Sequence, residues 1–415
     1  MEGYTIGGVA VTDLIKEYGS PLYVMDETVI RDNCRRFKNA VGKYFENGLV
    51  VHASKAFCCK EMCRIAMQEG LGLDVVSGGE LSTALSVDFP TDKIFFHGSN
   101  KTVAELELAV NNNVGRIVLD NYTEIDNLND ICTKLGKKAK VLMRVNPGVE
   151  AHTHEFIRTG QVDSKFGISI QTGEALAACE YIHGLANIEL TGIHCHIGSQ
   201  IFDQEPFETA AEIMLGFIQQ LNQKGISVSE LNLGGGYGVK YLPGDAPAPF
   251  EAFVEKIAHV VKCSGITGLT VILEPGRSLT ATAGITAYTV GAIKKIPGIR
   301  TYVSVDGGMT DNPRYIMYQA QYDALIAERP EAPREEFFTI AGKCCESGDI
   351  LIKDIKMPKI NIGDHLVVLS TGAYNYSMSS NYNRTPRPPV IMVSNGVSRV
   401  VVRRETYEDL MQKDI

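Results

Sequence analysis

Eight short apolar runs, at 49–53, 71–76, 93–97, 116–120, 139–145, 190–196, 230–234 and 270–274, alternate with amphipathic segments such as 102–112, 122–135, 205–224 and 250–263. The runs read as strands buried on both faces, and the segments between them as the crossover helices that parallel strands require. Eight such units within roughly 250 residues match a closed (β/α)8 barrel in count and size; an open doubly wound sheet is the alternative. Beyond about Ser278 the pattern shortens. Val, Thr, Tyr and Ile alternate through 281–292, 301–305, 336–340, 350–353, 364–369, 390–394 and 398–403, which predicts a mostly β domain that the N-terminal strand near 3–10 joins. The expected fold is α/β: a TIM-like (β/α)8 barrel over 28–277, with 1–27 and 278–415 forming the β-rich domain.

A chain of 415 residues is too long for one ordinary core, which agrees with two domains. The formal net charge of −9 argues against nucleic-acid or anionic-membrane partners, which call for a basic surface. Residues 1–18 lack the apolar core of a signal peptide, and no run is long enough to span a bilayer. Ten cysteines without a secretory signal are expected as reduced thiols in the cytoplasm.

In a barrel of this kind, chemistry gathers where strands end and the following loops begin. The first run ends at His52-Ala53-Ser54-Lys55. A lysine there is expected to be desolvated and so suited to forming a Schiff base with an aldehyde cofactor; alone it also reads as a surface lysine closing a strand. The later ends give Asp74, His97, Arg144, His194 through Gln200, the Gly234–Gly238 loop and Glu274-Pro275-Gly276-Arg277. The glycine loop and Gly276 fall in the usual phosphate-binding position after strands seven and eight. Glu274 needs a cation, which a pyridinium nitrogen or an arginine such as Arg277 would supply. His194 and His196 are read as pointing to opposite faces of their strand, so the pair is not expected to chelate a metal; His196 could stack on a flat ring or belong to the core. His152 and His154, in a loop with Arg158, lack the acidic company of a metal site, and no metal is expected. A cysteine beside Lys343, in Lys343-Cys344-Cys345-Glu346, could have a lowered pKa and serve as proton donor, or be an ordinary buried thiol. Arg277 and Arg314 are candidate carboxylate binders.

Taken in register, these segments resemble the barrel-type (fold type III) pyridoxal-phosphate decarboxylases of basic amino acids. Those carrying the likeness are Ala53-Ser54-Lys55-Ala56, Gly192 through Gln200, Gly234–Gly238, Glu274-Pro275-Gly276-Arg277, Asp306-Gly307-Gly308, Cys345-Glu346-Ser347-Gly348-Asp349 and Gly372-Ala373-Tyr374. The run Ser379-Ser380-Asn381-Tyr382-Asn383 fits the members that act on meso-2,6-diaminopimelate.

The resemblance implies pyridoxal 5'-phosphate as cofactor and decarboxylation of meso-diaminopimelate to L-lysine. Ornithine, arginine or carboxynorspermidine are alternative substrates, and a non-catalytic cofactor-binding relative is the alternative to an enzyme. By the same resemblance Lys55 would hold the cofactor, with Asp74 among its binding residues. His196 would stack on the ring and Glu274 would pair with its nitrogen. Ser199, Gly236, Gly276 and Tyr374 would surround the phosphate. Arg277, Arg314 and Tyr318, with Tyr374, would hold the distal carboxylate, Glu346 the distal amine, and Cys345 would donate the proton. It further implies a homodimer with shared active sites. Phe57 departs from the family, which often has asparagine there.

Overall fold

The computed structural model describes residues 3–149 and 164–415, so the loop with His152, His154 and Arg158 lies outside the described residues. The chain divides into two compact units, one of residues 33–238 and 247–276, the other of 1–32, 239–246 and 277–415.

In the first unit the strands Leu49–Ala53, Gly72–Val75, Ile94–Phe96, Arg116–Leu119, Ala139–Asn146, Ile188–His194, Glu230–Asn232 and Thr270–Leu273 follow one another around a parallel barrel. Pairing of Ile272 with Leu49 closes it. Each falls on or within a few residues of a predicted run, because both faces of these strands are covered and the code is a plain apolar run. Val51, Phe95, Val118, Leu142 and Ile272 cluster inside the barrel, which is therefore a packed plug. The helices start where polar caps are available. Thr102 and Glu105 form a capping box for Val103–Asn111, and Asn121 caps Tyr122–Leu135, which Gly136 ends in the left-handed conformation.

The second unit is built on a mostly antiparallel sheet. Strand Leu22–Asp26 lies between Gly284–Ile296, to which it runs antiparallel, and Val390–Ser394, to which it runs parallel. The N-terminal segment that joins this sheet is thus 22–26, whereas Thr5–Ile6 and Val9–Ala10 make a separate two-stranded hairpin. The hairpin's positive-φ glycines, Gly7 and Gly8, turn the chain back too soon for a long strand. Tyr288, Val290, Val303, Ile340, Leu366 and Val368 lead the larger of the apolar clusters here.

Candidate active site

Lys55 sits in a short 3-10 turn, Ser54–Ala56, directly beyond the first barrel strand. Ser54 and Ala56 are buried, but Lys55 itself is exposed, which corrects the expectation of a desolvated amine. The turn carries it past the strand end, out of the packed plug. Its charge is nevertheless felt by Asp74, Glu80 and His196. Phe57 is buried, and its carbonyl accepts a 3.0 Å hydrogen bond from His52, so this departure from the family belongs to the core.

Glu274 is 6 % exposed and is gripped by three donors. His97 Nε2 donates to Oε1 at 2.8 Å, Asn232 Nδ2 to the same oxygen at 2.7 Å, and His194 Nε2 to Oε2 at 3.2 Å. Burial works against the carboxylate charge, but His97 and His194 outweigh it and hold the carboxyl well below the usual range. The acid is therefore kept ionised in an apolar setting. Burial pushes the His194 imidazole down to about 3 and the Glu80 carboxyl up to about 7. Asp74, also buried, is raised, and its Oδ1 has no hydrogen-bond partner; His97 Nε2 stands 3.9 Å away.

Positions two apart on a strand share a face, so the opposite-face reading of His194 and His196 does not hold. What separates them is that the strand ends at His194. His196, beyond it, accepts the N–H of Gly235 on Nδ1 at 3.3 Å. Burial, with Lys55 and Arg144, holds its ring well below the ordinary histidine value, so it is neutral. His97, His194 and Glu274 present their donor atoms within 4.8 Å of one another, but those atoms are spent on the hydrogen bonds just described.

Backbone pairing laces the loops after strands six and seven together: Ile201 N–H donates to Gly236 O at 3.0 Å and Gly238 N–H to Ile201 O at 2.9 Å. Ser199 lies within the first of these loops. Gly236 has φ +117°, and a Cβ there would stand 2.4 Å from Gly198 O. After strand eight, a Cβ on Gly276 would press on Ala53 and Ala56, which flank Lys55. Loops this close, with glycines at 198, 234–236 and 276 whose N–H groups no side chain screens, suit an anionic phosphate. With an acid held ionised, a neutral imidazole and a lysine at the same barrel end, the residues present fit a phosphorylated pyridine aldehyde.

The second unit gathers the guanidiniums. Arg277 and Arg314 are each 6 % exposed. Arg277 donates to the Tyr241 hydroxyl at 2.6 Å, and Arg314 donates to Tyr241 at 3.2 Å and to Tyr322 at 3.1 Å. Burial raises a phenol's pKa, yet the two cations prevail and hold Tyr241 below its ordinary value. The Tyr374 ring lies 4.8 Å from the Arg277 guanidinium and 5.7 Å from that of Arg314; Tyr318 lies 5.9 Å from Arg314. Among the described residues no carboxylate forms an ion pair with Arg314, so this buried cation is met by tyrosine hydroxyls and rings alone.

Cys345 and Glu346 are exposed on the loop that precedes strand Ile350–Met357. Cys344, next to Lys343, has its thiol pushed up to about 11 by burial and by Asp349, contrary to the lowered value expected of a cysteine beside that lysine. The sequence alone reveals no role for His97, Asn232, Tyr241 or Tyr322. His97 carried a signal, since it ends the third apolar run; the tyrosines meet the arginines only through tertiary folding.

Residues 27–281 match the family model of the pyridoxal-dependent decarboxylases, pyridoxal binding domain. The diaminopimelate decarboxylase of Bacillus subtilis is 48% identical over 99% of this chain and 94% of its own. That of Staphylococcus aureus is 45% identical over 99% and 97%. The crystal structure of diaminopimelate decarboxylase from M. jannaschii in complex with L-lysine superposes with a TM-score of 0.92, at 34% identity, covering 98% of this chain and 94% of that one.

Proposed function

The chain belongs to the diaminopimelate decarboxylase family of pyridoxal-dependent decarboxylases, and on that premise we propose that it releases carbon dioxide from meso-2,6-diaminopimelate to give L-lysine. The observation that carries the substrate is Arg314, a buried cation bonded to Tyr241 and Tyr322, which has no carboxylate partner among the described residues and so calls for an anion. Diaminopimelate has a second carboxylate to offer; ornithine and arginine do not. Bidentate pairing with a planar guanidinium suits that group.

When bound, pyridoxal phosphate supplies the electron sink for the pair left behind by the departing carboxylate. Lys55 would hold its aldehyde carbon and take it back after each turnover. Glu274, kept ionised, would hold a proton on the ring nitrogen, and His196, neutral and fixed by Gly235, would pack against the ring. Asp74 would add to this setting, and Ser199, Gly236, Gly276 and Tyr374 would donate to the phosphate. Arg277, Arg314, Tyr318 and Tyr374 would orient the distal carboxylate, and Glu346 the distal amine. Cys345 would deliver the proton that replaces carbon dioxide. The exposure of Cys345 and Glu346 supports a homodimer in which they serve the partner's site. Among the described residues no cysteine is joined in a disulfide, which supports a reducing cytoplasm as its place of action.

Carbon dioxide release from meso-diaminopimelate, ornithine, arginine and carboxynorspermidine, each at saturating cofactor, tests this reading. Turnover of diaminopimelate alone is expected. Turnover of ornithine without diaminopimelate would overturn it.

A further inference from the structure

The run Ser379–Asn383 has no role in the chemistry above, yet it touches both catalytic loops of its unit. Ser380 N–H donates to Thr310 O at 2.8 Å, in the segment that leads to Arg314. The Asn383 side-chain oxygen accepts the backbone N–H of Cys345 itself, at 2.8 Å. We propose that Asn383 is a positioning residue that fixes the Cys345 backbone and so aims its thiol for proton delivery; this rests on Cys345 being the acid.

The backbone conformation at Asn383 supports it. Its φ of 52° and ψ of 24° lie in the left-handed region, which asparagine tolerates better than other residues with a side chain. Its neighbour Arg384 shares that conformation at φ 53°. Two successive left-handed residues need an external brace, and the C-terminal segment provides one. Asn381 Nδ2 donates to Glu405 at 2.6 Å, and the same carboxylate oxygen accepts Arg387 N–H at 2.8 Å. Arg384 donates to Leu410 O at 3.0 Å and pairs with Asp414 at 2.9 Å. The far side of the Cys345 loop is fixed independently: Asp349, 3 % exposed, accepts Met309 N–H at 2.6 Å and Cys344 N–H at 2.7 Å. Asp349 thus fixes the residue before Cys345, and Asn383 fixes Cys345. Without Asn383 the thiol would swing on an exposed loop.

The test is a double-mutant cycle on the holoenzyme with meso-diaminopimelate. Asn383→Gly keeps the backbone conformation and removes the acceptor; Asn383→Asp keeps both. We expect kcat of Asn383→Gly to fall roughly ten- to hundred-fold, the scale of a misplaced catalytic group. Melting temperature and cofactor absorbance should be unchanged, and Asn383→Asp should restore kcat to within about three-fold. In a Cys345→Ala background, Asn383→Gly should cost nothing further, because its effect runs through the thiol. Full kcat in Asn383→Gly, or a loss that multiplies with that of Cys345→Ala, would overturn the proposal. Full kcat in Cys345→Ala alone would instead remove the acid assignment beneath it. If Asn383→Gly does not fold, failure of Asn383→Asp to retain kcat would overturn it as well.

Discussion

At the level of single residues, two buried groups make opposite demands on their surroundings. Among the described residues Arg314 is a buried cation with no carboxylate partner, and lysine in its place would keep the charge but not the planar fork. Loss of charge-assisted bonds worth about 1.5–3 kcal/mol should lower kcat/KM for meso-diaminopimelate roughly ten- to hundred-fold in Arg314→Lys, with cofactor absorbance retained. Steady-state kinetics beside the absorption spectrum would check this. His52 is a buried neutral group: burial pushes it down to about 4 from 6.5, although its hydrogen bond to Phe57 O acts the other way. The unfolded chain therefore binds this proton at a higher pH than the folded chain. The stability His52 contributes is whole above pH 6.5 and is lost as pH falls through about 4. That shift corresponds to about 3 kcal/mol. Unfolding free energies measured between pH 7 and 4 should fall less steeply in His52→Gln, which keeps a donor for Phe57 O.

Among the elements, the loops after strands six to eight carry the greatest constraint. In Gly236→Ala the new methyl would meet Gly198 O at 2.4 Å, at a φ that only glycine adopts with ease, so the two loops must part. Pyridoxal phosphate affinity, titrated by absorbance, should weaken about ten-fold or more as the N–H groups lose their arrangement. The barrel was legible in the sequence because a strand covered on both faces has only one way to be written, and because loops at strand ends carry polar residues for which a plug has no use. Lys55, Glu274 and the Gly234–Gly238 loop emerge from that rule alone. Their partners do not: Asn232 and His97 reach Glu274 from other strands, and Tyr241 reaches Arg277 across 36 positions of sequence. Strand Ala324–Ile326 went unread because three apolar residues have no period to show. The exposure of Lys55 is not legible in the sequence, because the apolar pattern marks where a strand ends, not where the next turn goes.

For the whole molecule, the proposed homodimer makes a quantitative demand. If Cys345 serves the partner's Lys55, then Lys55→Ala and Cys345→Ala chains, each with little activity alone, should recover activity when mixed. Random pairing makes half the dimers mixed, each with one intact site, so about a quarter of native activity is expected. No recovery after verified subunit exchange would place both residues in one protomer's site. All of this presupposes that the amine beyond the first barrel strand is where the cofactor is held. Borohydride reduction of the holoenzyme, followed by peptide mass spectrometry, reads that attachment directly. A pyridoxyl adduct on Lys55, at about one per chain, is the expected result. An adduct on another lysine such as Lys101, or none on a chain that still releases carbon dioxide, would contradict it.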